Sequence, residues 1–554
     1  LDLIGLFTHL AYYGQVGFRL VPPTVRHLGA VTVVIPVVGG LIVGVMARFG
    51  SERIRGHGIP EAMETILIGG SKVEPRLAIL KPISSAVSIG SGGPFGAEGP
   101  IILTGGAVGS VLAQFFRLSA IERRTLLVAG ACGGMAAVFG TPVAAALFGI
   151  ELLVFEWKPR SMVPIAVAVT VADALRNVFS SHGLVQPAPL FPVASHGTFS
   201  GTGVAEAALI GLAGGCLAWV LTNAVYGAED AFKRLPIHWS WWPALGGVVV
   251  GLGGLIEPRA LGVGYASIGD ELAGRIAIGG LVALLLVKLV IWSVALGSGT
   301  SGGILAPLLI MGAALGGVMG HAFGGPAGAW ALVGMSATLA GVTRSPFTSI
   351  VFAFELTHDN GTLLPLLIAC ALAHLVSALV LRRSILTEKV ARRGFHVMRE
   401  YGVDPLEAMF AREVMQRELY TVTAGTSANE MRSALEDPLL RRQKLYPVVD
   451  EAGLMVGVVG ATDLPPAADG AGPVGSVMHT TVITAYPDET LRPVADRMAA
   501  HELGALPIVD RDRPGEVVGV LTTYDLLSAR RRQLEEERHR ERALRLYRPP
   551  RWVR

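Results

Sequence analysis

Long apolar runs recur from Leu1 to about Leu381, and many are broken by glycine or proline after ten or so residues. Clear runs are Val31 to Met46, Thr125 to Phe155, Val204 to Leu221, Ile278 to Leu296 and Leu363 to Leu381. A helix of about 20 residues crosses a hydrocarbon core of ~30 Å. A break at that depth frees backbone N–H and C=O groups, and it survives only where protein or a watery cavity satisfies them. Intact helices suit an anchor; broken ones point to a transport pathway. Composition agrees. Soluble domains carry about 25% charged residues and about 7% glycine. This chain of 554 residues has 16% charged residues and 70 glycines. High hydrophobicity also excludes a disordered chain.

The charge deficit is local. About 49 of the charged residues follow Leu386, in under a third of the chain. A membrane-like part is therefore followed by a soluble-like part. A formal net charge of +3 is too small to imply nucleic acid. Cys132, Cys216 and Cys370 lie far apart in apolar runs and offer neither a disulfide framework nor metal-ligand spacing. The chain opens at Leu1 without Met, so a preceding segment is expected.

The membrane-like part repeats itself. Gly56-His57-Gly58 is echoed by Gly262-Val263-Gly264. Gly96, Pro100, Gly105 and Gly109 are echoed by Gly303, Pro307, Gly312 and Gly316. Gly130, Pro142, Phe148 and Glu151 are echoed by Gly334, Pro346, Phe352 and Glu355. The matches keep their order and nearly one offset, which favours a duplicated architecture with a site between the halves. A second, smaller repeat follows Leu386. Met415, Tyr446 to Asp450 and Gly457 to Asp463 form one copy; Met478, Leu506 to Asp510 and Gly519 to Asp525 form the other. A linker from Pro465 to Pro473 separates them, and the Arg/Glu run from Arg530 to Arg542 is expected to be a solvated helix.

Three segments carry the chemistry. They are Gly56-His57-Gly58-Ile59-Pro60-Glu61, Gly96-Ala97-Glu98-Gly99-Pro100 and Gly303-Ile304-Leu305-Ala306-Pro307. Glycine lets backbone approach a ligand, and proline fits the first turn of a helix. A helix start offers free N–H groups and about half a positive charge. Such ends compensate an anion for lost water. Glu98 is an ionisable residue at a membrane break, hence a functional candidate; its plainer reading is a helix-capping carboxylate.

In this order the segments resemble the CLC family of chloride channels and proton-coupled chloride exchangers, over about residues 1–395. The smaller repeat resembles a pair of CBS domains. The resemblance implies an all-α polytopic membrane domain with two inverted structural repeats and broken helices, plus an α/β cytoplasmic CBS pair. The expected division is 1–395 for the membrane domain (repeats about 1–195 and 200–385), 396–467 for linker and first CBS domain, 468–532 for the second, and 533–554 for a charged tail. It also implies a multi-pass protein of the bacterial inner membrane, in contact with lipid and paired as a homodimer, and not an enzyme. Glu98 matches the family's gating glutamate, which occupies an anion site when ionised and swings away when protonated. The amides of His57, Gly58, Ile59, Glu98, Gly99, Ile304 and Leu305 are expected to cradle chloride or a similar monovalent anion.

The sequence also departs from the family. His57 stands at the serine position, Leu305 at the phenylalanine position and Leu386 at the tyrosine position, so both hydroxyl donors are gone. His57 either donates to the anion or fills space as a neutral ring. Ala97 replaces the basic residue before the glutamate. Exchangers carry a second, intracellular-side glutamate; here that region reads Ser180-Ser181-His182-Gly183, with Glu151, Glu156 or His182 as substitutes. The expectation is therefore channel-like chloride conduction, with proton-coupled chloride/H⁺ exchange as the alternative. A CBS-regulated divalent-cation transporter comes third, because intramembrane acids are few. No P-loop spacing is present for an ATP-driven pump. No cofactor is required for transport. The CBS resemblance implies an adenine nucleotide (ATP, ADP or AMP) at Asp463, Thr522 and Asp525, with Gly460 where a first-copy Ser/Thr would stand; the alternative is a module that only dimerises and packs.

Overall fold

The computed structural model describes residues 1–23, 29–67, 71, 73–116, 118–193, 196, 199, 201–324, 326–392, 406, 409–441, 443–465, 472–529 and 531. The expected tail at 533–554, most of the Pro465–Pro473 linker, nearly all of the Arg530–Arg542 run and the expected boundary at 395 lie outside these residues. The chain divides into two units, Leu1–Met398 and Arg399–Arg554.

The first unit is helical. Its first half holds α1 (Asp2–Thr8), α2 (Val31–Phe49), α3 (Ile59–Leu67), α4 (Pro75–Gly90), α5 (Glu98–Gln114), α6 (Ala120–Phe139), α7 (Pro142–Phe148) and α8 (Pro159–Ser181). Its second half holds α9 (Gly201–Lys233), α10 (Trp242–Ile256), α11 (Tyr265–Leu272), α12 (Ile278–Gly297), α13 (Leu305–Phe323), α14 (Ala327–Thr343), α15 (Pro346–Thr357), α16 (Leu363–Val380) and α17 (Ile385–Arg392). Among the described residues, seven helices are long and apolar enough to cross a membrane. The expected single run from Thr125 to Phe155 is two helices. Gly140 turns left-handed at φ 64° after α6, and Pro142 opens α7. The second half breaks likewise, at Arg344 (φ 59°) and Pro346. Ser119 and Glu122 form a capping box at the start of α6, an arrangement worth about 1 kcal/mol.

The halves meet reciprocally. A Cβ on Gly40 of α2 would lie 2.4 Å from the Pro243 carbonyl of α10, and one on Gly247 of α10 would lie 2.5 Å from the Pro36 carbonyl of α2. Pro36, Gly40 and Gly44 thus match Pro243, Gly247 and Gly251 as a further echo. Small residues at this spacing let membrane helices pack backbone to backbone. At the far side, Glu151 accepts hydrogen bonds from the Thr348 amide (2.8 Å) and hydroxyl (2.6 Å) at the start of α15. Its counterpart Glu355 accepts from the amides of Val143 (3.0 Å) and Ala144 (2.8 Å) at the start of α7. Each half caps a helix of the other. Contacts in which i meets j while the partner's i meets j are the mark of a two-fold relation.

The second unit holds β1 (Val422–Thr423), β2 (Leu445–Val449) and β3 (Met455–Gly460) in that sheet order, β1–β2 parallel and β2–β3 antiparallel. A separate antiparallel pair joins β4 (Ala505–Val509) to β5 (Val517–Thr522). The opening segments are exchanged relative to the sequence repeat. Gln416 bridges Val520, and Met415 packs with the second copy's core; His479 bridges Val458, and Met478 packs with the first copy's core.

Candidate anion-binding site

The three glycine-rich segments meet at one place, and backbone hydrogen bonds zip them together. Gly96 and Gly303 exchange both bonds, at 3.0 and 2.7 Å. These two residues are repeat counterparts, so the two-fold relation passes between them. Gly56 donates to Thr300 and Gly302 donates to Gly56, each at 3.3 Å. Side chains are excluded here by space. A Cβ on Gly99 would lie 1.9 Å from the His57 carbonyl, and one on Gly58, at φ 88°, would lie 2.6 Å from the Gly99 carbonyl. The starts of α3, α5 and α13 therefore converge with bare backbone.

Glu98 sits at the convergence, 1% exposed. Its Oε1 accepts a hydrogen bond from the Tyr265 hydroxyl at 3.0 Å. Its Oε2 folds back over the glycines, 1.7 Å from where a Gly96 Cβ would stand and 3.1 Å from a Gly303 Cβ. That Oε2 is buried with no hydrogen-bond partner among the described residues, next to the start of α13. A carboxyl group thus lies against two helix starts, where the helix dipole favours its ionised form.

The other expected residues fall as follows. His57, Ile59, Ile304, Leu305 and Leu386 are all buried beside these helix starts or, for Leu386, in the first turn of α17. Leu386 brings only carbon there; the hydroxyls of its neighbours Ser384 and Thr387 bond to each other at 3.0 Å. The Gly58 amide donates to Glu61 Oε2 at 2.8 Å, so it is already engaged. A glutamate three residues into the motif reaches back to the residue preceding the helix, which is the glutamate half of a capping box. Glu61 Oε1 also meets Lys389 at 3.2 Å, tying α3 to α17.

Three residues of the site went unread in the sequence: Tyr265, Lys81 and Lys288. Lys81 is fully buried and donates to the carbonyls of Ile54 and Gly56, both at 2.7 Å. Lys288, equally buried, donates to the Ala260 carbonyl at 2.9 Å, and its Nζ is 3.5 Å from where a Cβ on Gly264, next to Tyr265, would stand. The repeat held the signal, since Lys81 and Lys288 stand at the same offset as Gly96 and Gly303.

The candidate substitutes for a second glutamate have other work. Glu151 is a helix cap. Glu156 accepts from Ser161 and neighbours Arg160 and Lys158. His182 is exposed and bonds the Val178 carbonyl of its own helix end at 2.8 Å. Gly183 is the turn beyond it, at φ 70°. In the second unit, Asp463 Oδ2 accepts from the Gly460 amide at 2.7 Å and lies 3.4 Å from His479. Asp525 Oδ2 accepts from the Thr522 amide (2.9 Å), the Thr522 hydroxyl (2.7 Å) and Gln416 (3.3 Å).

Known proteins bear on this geometry. A family model described as voltage gated chloride channel matches residues 39–378, and one described as CBS domain matches 411–464 and 474–532. The chain belongs to the voltage gated chloride channel family. It is thus a multi-pass membrane protein of an anion-transport family and not an enzyme, with two CBS domains after the membrane unit. A protein of Ralstonia nicotianae, named for its likeness to the chloride channel protein ClcB, is 30% identical over 376 residues, covering 66% of this chain and 86% of its own. The H⁺/Cl⁻ exchange transporter ClcA of Salmonella paratyphi A is 30% identical over 342 residues, covering 58% of this CLC chain and 70% of its own. Among solved structures, a slow cyanobacterial Cl⁻/H⁺ antiporter superposes with a TM-score of 0.62 at 21% identity, covering 71% of this chain and 92% of that one. A eukaryotic CLC transporter gives 0.56 at 19% identity, covering 94% and 93%. At those identities the structures speak for the fold.

Proposed function

We propose that this CLC protein exchanges chloride for protons, with Glu98 as the group that carries both competitions. The observation behind this is the Glu98 carboxylate lying against the starts of α5 and α13. Ionised, it holds the amides that an anion needs. A proton from solution neutralises it, removes its claim on those amides and lets chloride take them. Loss of the proton returns the carboxylate and expels the anion. Relatives named as H⁺/Cl⁻ exchangers favour this reading over the channel-like conduction expected from the sequence. With Leu386 and Leu305 at the site, backbone amides supply the anion contacts that hydroxyls would otherwise share.

The test is proteoliposomes with an outward chloride gradient. Exchange drives protons inward against no proton gradient; Glu98→Gln, a fixed neutral mimic, passes chloride with little pH dependence and drives none. Wild-type vesicles that take up no protons sink the exchange reading. A Glu98→Gln protein with unchanged pH dependence removes Glu98 as the gate.

For the second unit, which faces the cytoplasm, we propose one adenine-nucleotide site at Thr522 and Asp525. The support is the second copy's Thr–Asp pair and the CBS match. Asp463, without a hydroxyl partner at Gly460, serves the first copy's turn. Calorimetry of the full chain with ATP, ADP and AMP tests this; binding lost in Thr522→Ala supports it, and no heat from any of the three refutes it.

A further inference from the structure

We infer that Tyr265 is the latch that holds the Glu98 gate closed, a positioning residue resting on the gating role proposed above. The Tyr265 hydroxyl donates to Glu98 Oε1 at 3.0 Å. The ring is held from two sides, edge-on to Phe139 at 6.2 Å and to Phe191 at 6.1 Å, and Phe139 is in turn edge-on to Phe352 at 5.1 Å. Aromatic pairs in this arrangement fix orientation as well as burying area. Tyr265 also opens α11, directly after the Gly262-Val263-Gly264 echo, where the first half has Ile59 opening α3. The two halves differ here: one helix start carries an apolar residue, and the other carries a hydroxyl aimed at the carboxylate.

A phenol can donate fully to a carboxylate that is ionised. Once Glu98 is protonated it no longer offers that charge, so the bond favours the closed, charged form. Among the described residues, the titratable groups near Glu98 include Tyr265 on α11, Lys288 on α12, whose Nζ is 3.5 Å from where a Cβ on Gly264 would stand, and His57, whose carbonyl abuts Gly99; the first turn of α13 brings the amides of Leu305 and Ala306, while Pro307 has no N–H. Lys288 donates to the Ala260 carbonyl. Tyr265 is the neighbour that bonds to the gate directly. With Ala97 in place of the family's basic residue, a neutral donor takes the part of a nearby charge.

The sign follows. Removing a donor that favours the charged form lets Glu98 take its proton at higher pH. A hydrogen bond to a charged group is worth enough to move such a midpoint by about one to two pH units. Tyr265→Phe keeps the ring and its contacts with Phe139 and Phe191 while deleting only the donor. The experiment is chloride uptake into proteoliposomes across pH 4 to 9 for wild type, Tyr265→Phe, Glu98→Gln and the double variant. The expected result is a midpoint moved upward by about one to two units in Tyr265→Phe. The two proteins carrying Glu98→Gln, alone or with Tyr265→Phe, should show the same small pH dependence as each other. As a second arm, 3-fluorotyrosine at position 265 is a more acidic, stronger donor and moves the midpoint downward. A wild-type midpoint with both phenylalanine and 3-fluorotyrosine at position 265 overturns the latch while leaving the gate standing. Glu98→Gln with wild-type pH dependence overturns the gate itself, so the two failures are distinguishable.

Discussion

Replacing Gly99 by alanine tests whether the bare backbone of the convergence is what the anion pathway requires. The added Cβ would stand 1.9 Å from the His57 carbonyl oxygen, 3.0 Å from its carbon and 3.2 Å from the Gly303 Cα. All three are backbone atoms of buried residues, so no side chain can rotate away. Ordinary contact begins at 3.4 Å, so the starts of α3 and α5 must part by about 1.5 Å. Overpacking of this kind costs about 1–3 kcal/mol, which a large membrane domain survives. The functional effect is larger, because a misplacement of about 1 Å in a preorganised site costs on the order of 100-fold in rate. Gly99→Ala should therefore elute as folded protein and take up radiolabelled chloride about 100-fold more slowly than wild type. Gly227→Ala is the control. It lies within α9 with nothing within 4 Å of its added Cβ, and it should keep uptake while gaining up to about 1 kcal/mol of helix stability. A folded Gly99→Ala with wild-type uptake would refute the reasoning.

Other consequences follow from the same contacts. Glu151→Ala strips the Thr348 amide and hydroxyl of their acceptor and should lower stability by about 2–3 kcal/mol, read as a drop in the thermal midpoint; Glu355→Ala should cost less, because its site is more exposed. An unchanged midpoint in Glu151→Ala contradicts the cross-repeat cap. Lys81→Met leaves the buried Ile54 carbonyl without its donor and the Gly56 carbonyl with only the 3.3 Å bond from Gly302, and it should cost about 1–3 kcal/mol, with chloride uptake falling as the Gly56 segment loosens; unaltered stability would show that Lys81 does not hold that segment. Leu386→Tyr restores a hydroxyl near the start of α17, and a charge-assisted bond should tighten chloride binding about tenfold in a calorimetric titration. Equal or weaker affinity places the Leu386 side chain away from the anion.

The architecture was legible where it left a periodic or duplicated mark. Gly96 with Gly303, Pro142 with Pro346 and Glu151 with Glu355 announced two halves, because the glycines and prolines meet backbone demands at helix starts and the glutamates cap a helix of the opposite half. What stayed hidden is pairwise. Nothing in the string places Tyr265 against Glu98, because the two come together only when the halves dock. The engagement of the Gly58 amide by Glu61 was readable as a capping box, yet the ligand-binding reading of the glycines obscured it. Lys81 and Lys288 are single charges inside apolar runs, and only their offset, equal to that of Gly96 and Gly303, marks them as a pair. The exchange of Met415 and Met478 between CBS copies is invisible to a repeat read in register, because both assignments conserve the same residues.

The central claim is that one carboxylate couples chloride to protons. It is tested most directly by the reversal potential of the purified protein in planar bilayers, with a fixed chloride gradient and a proton gradient varied across the membrane. Exchange predicts a reversal potential that moves with each change in the proton gradient and departs from the chloride Nernst potential. A reversal potential that stays on the chloride Nernst value at every proton gradient would contradict it and establish passive conduction.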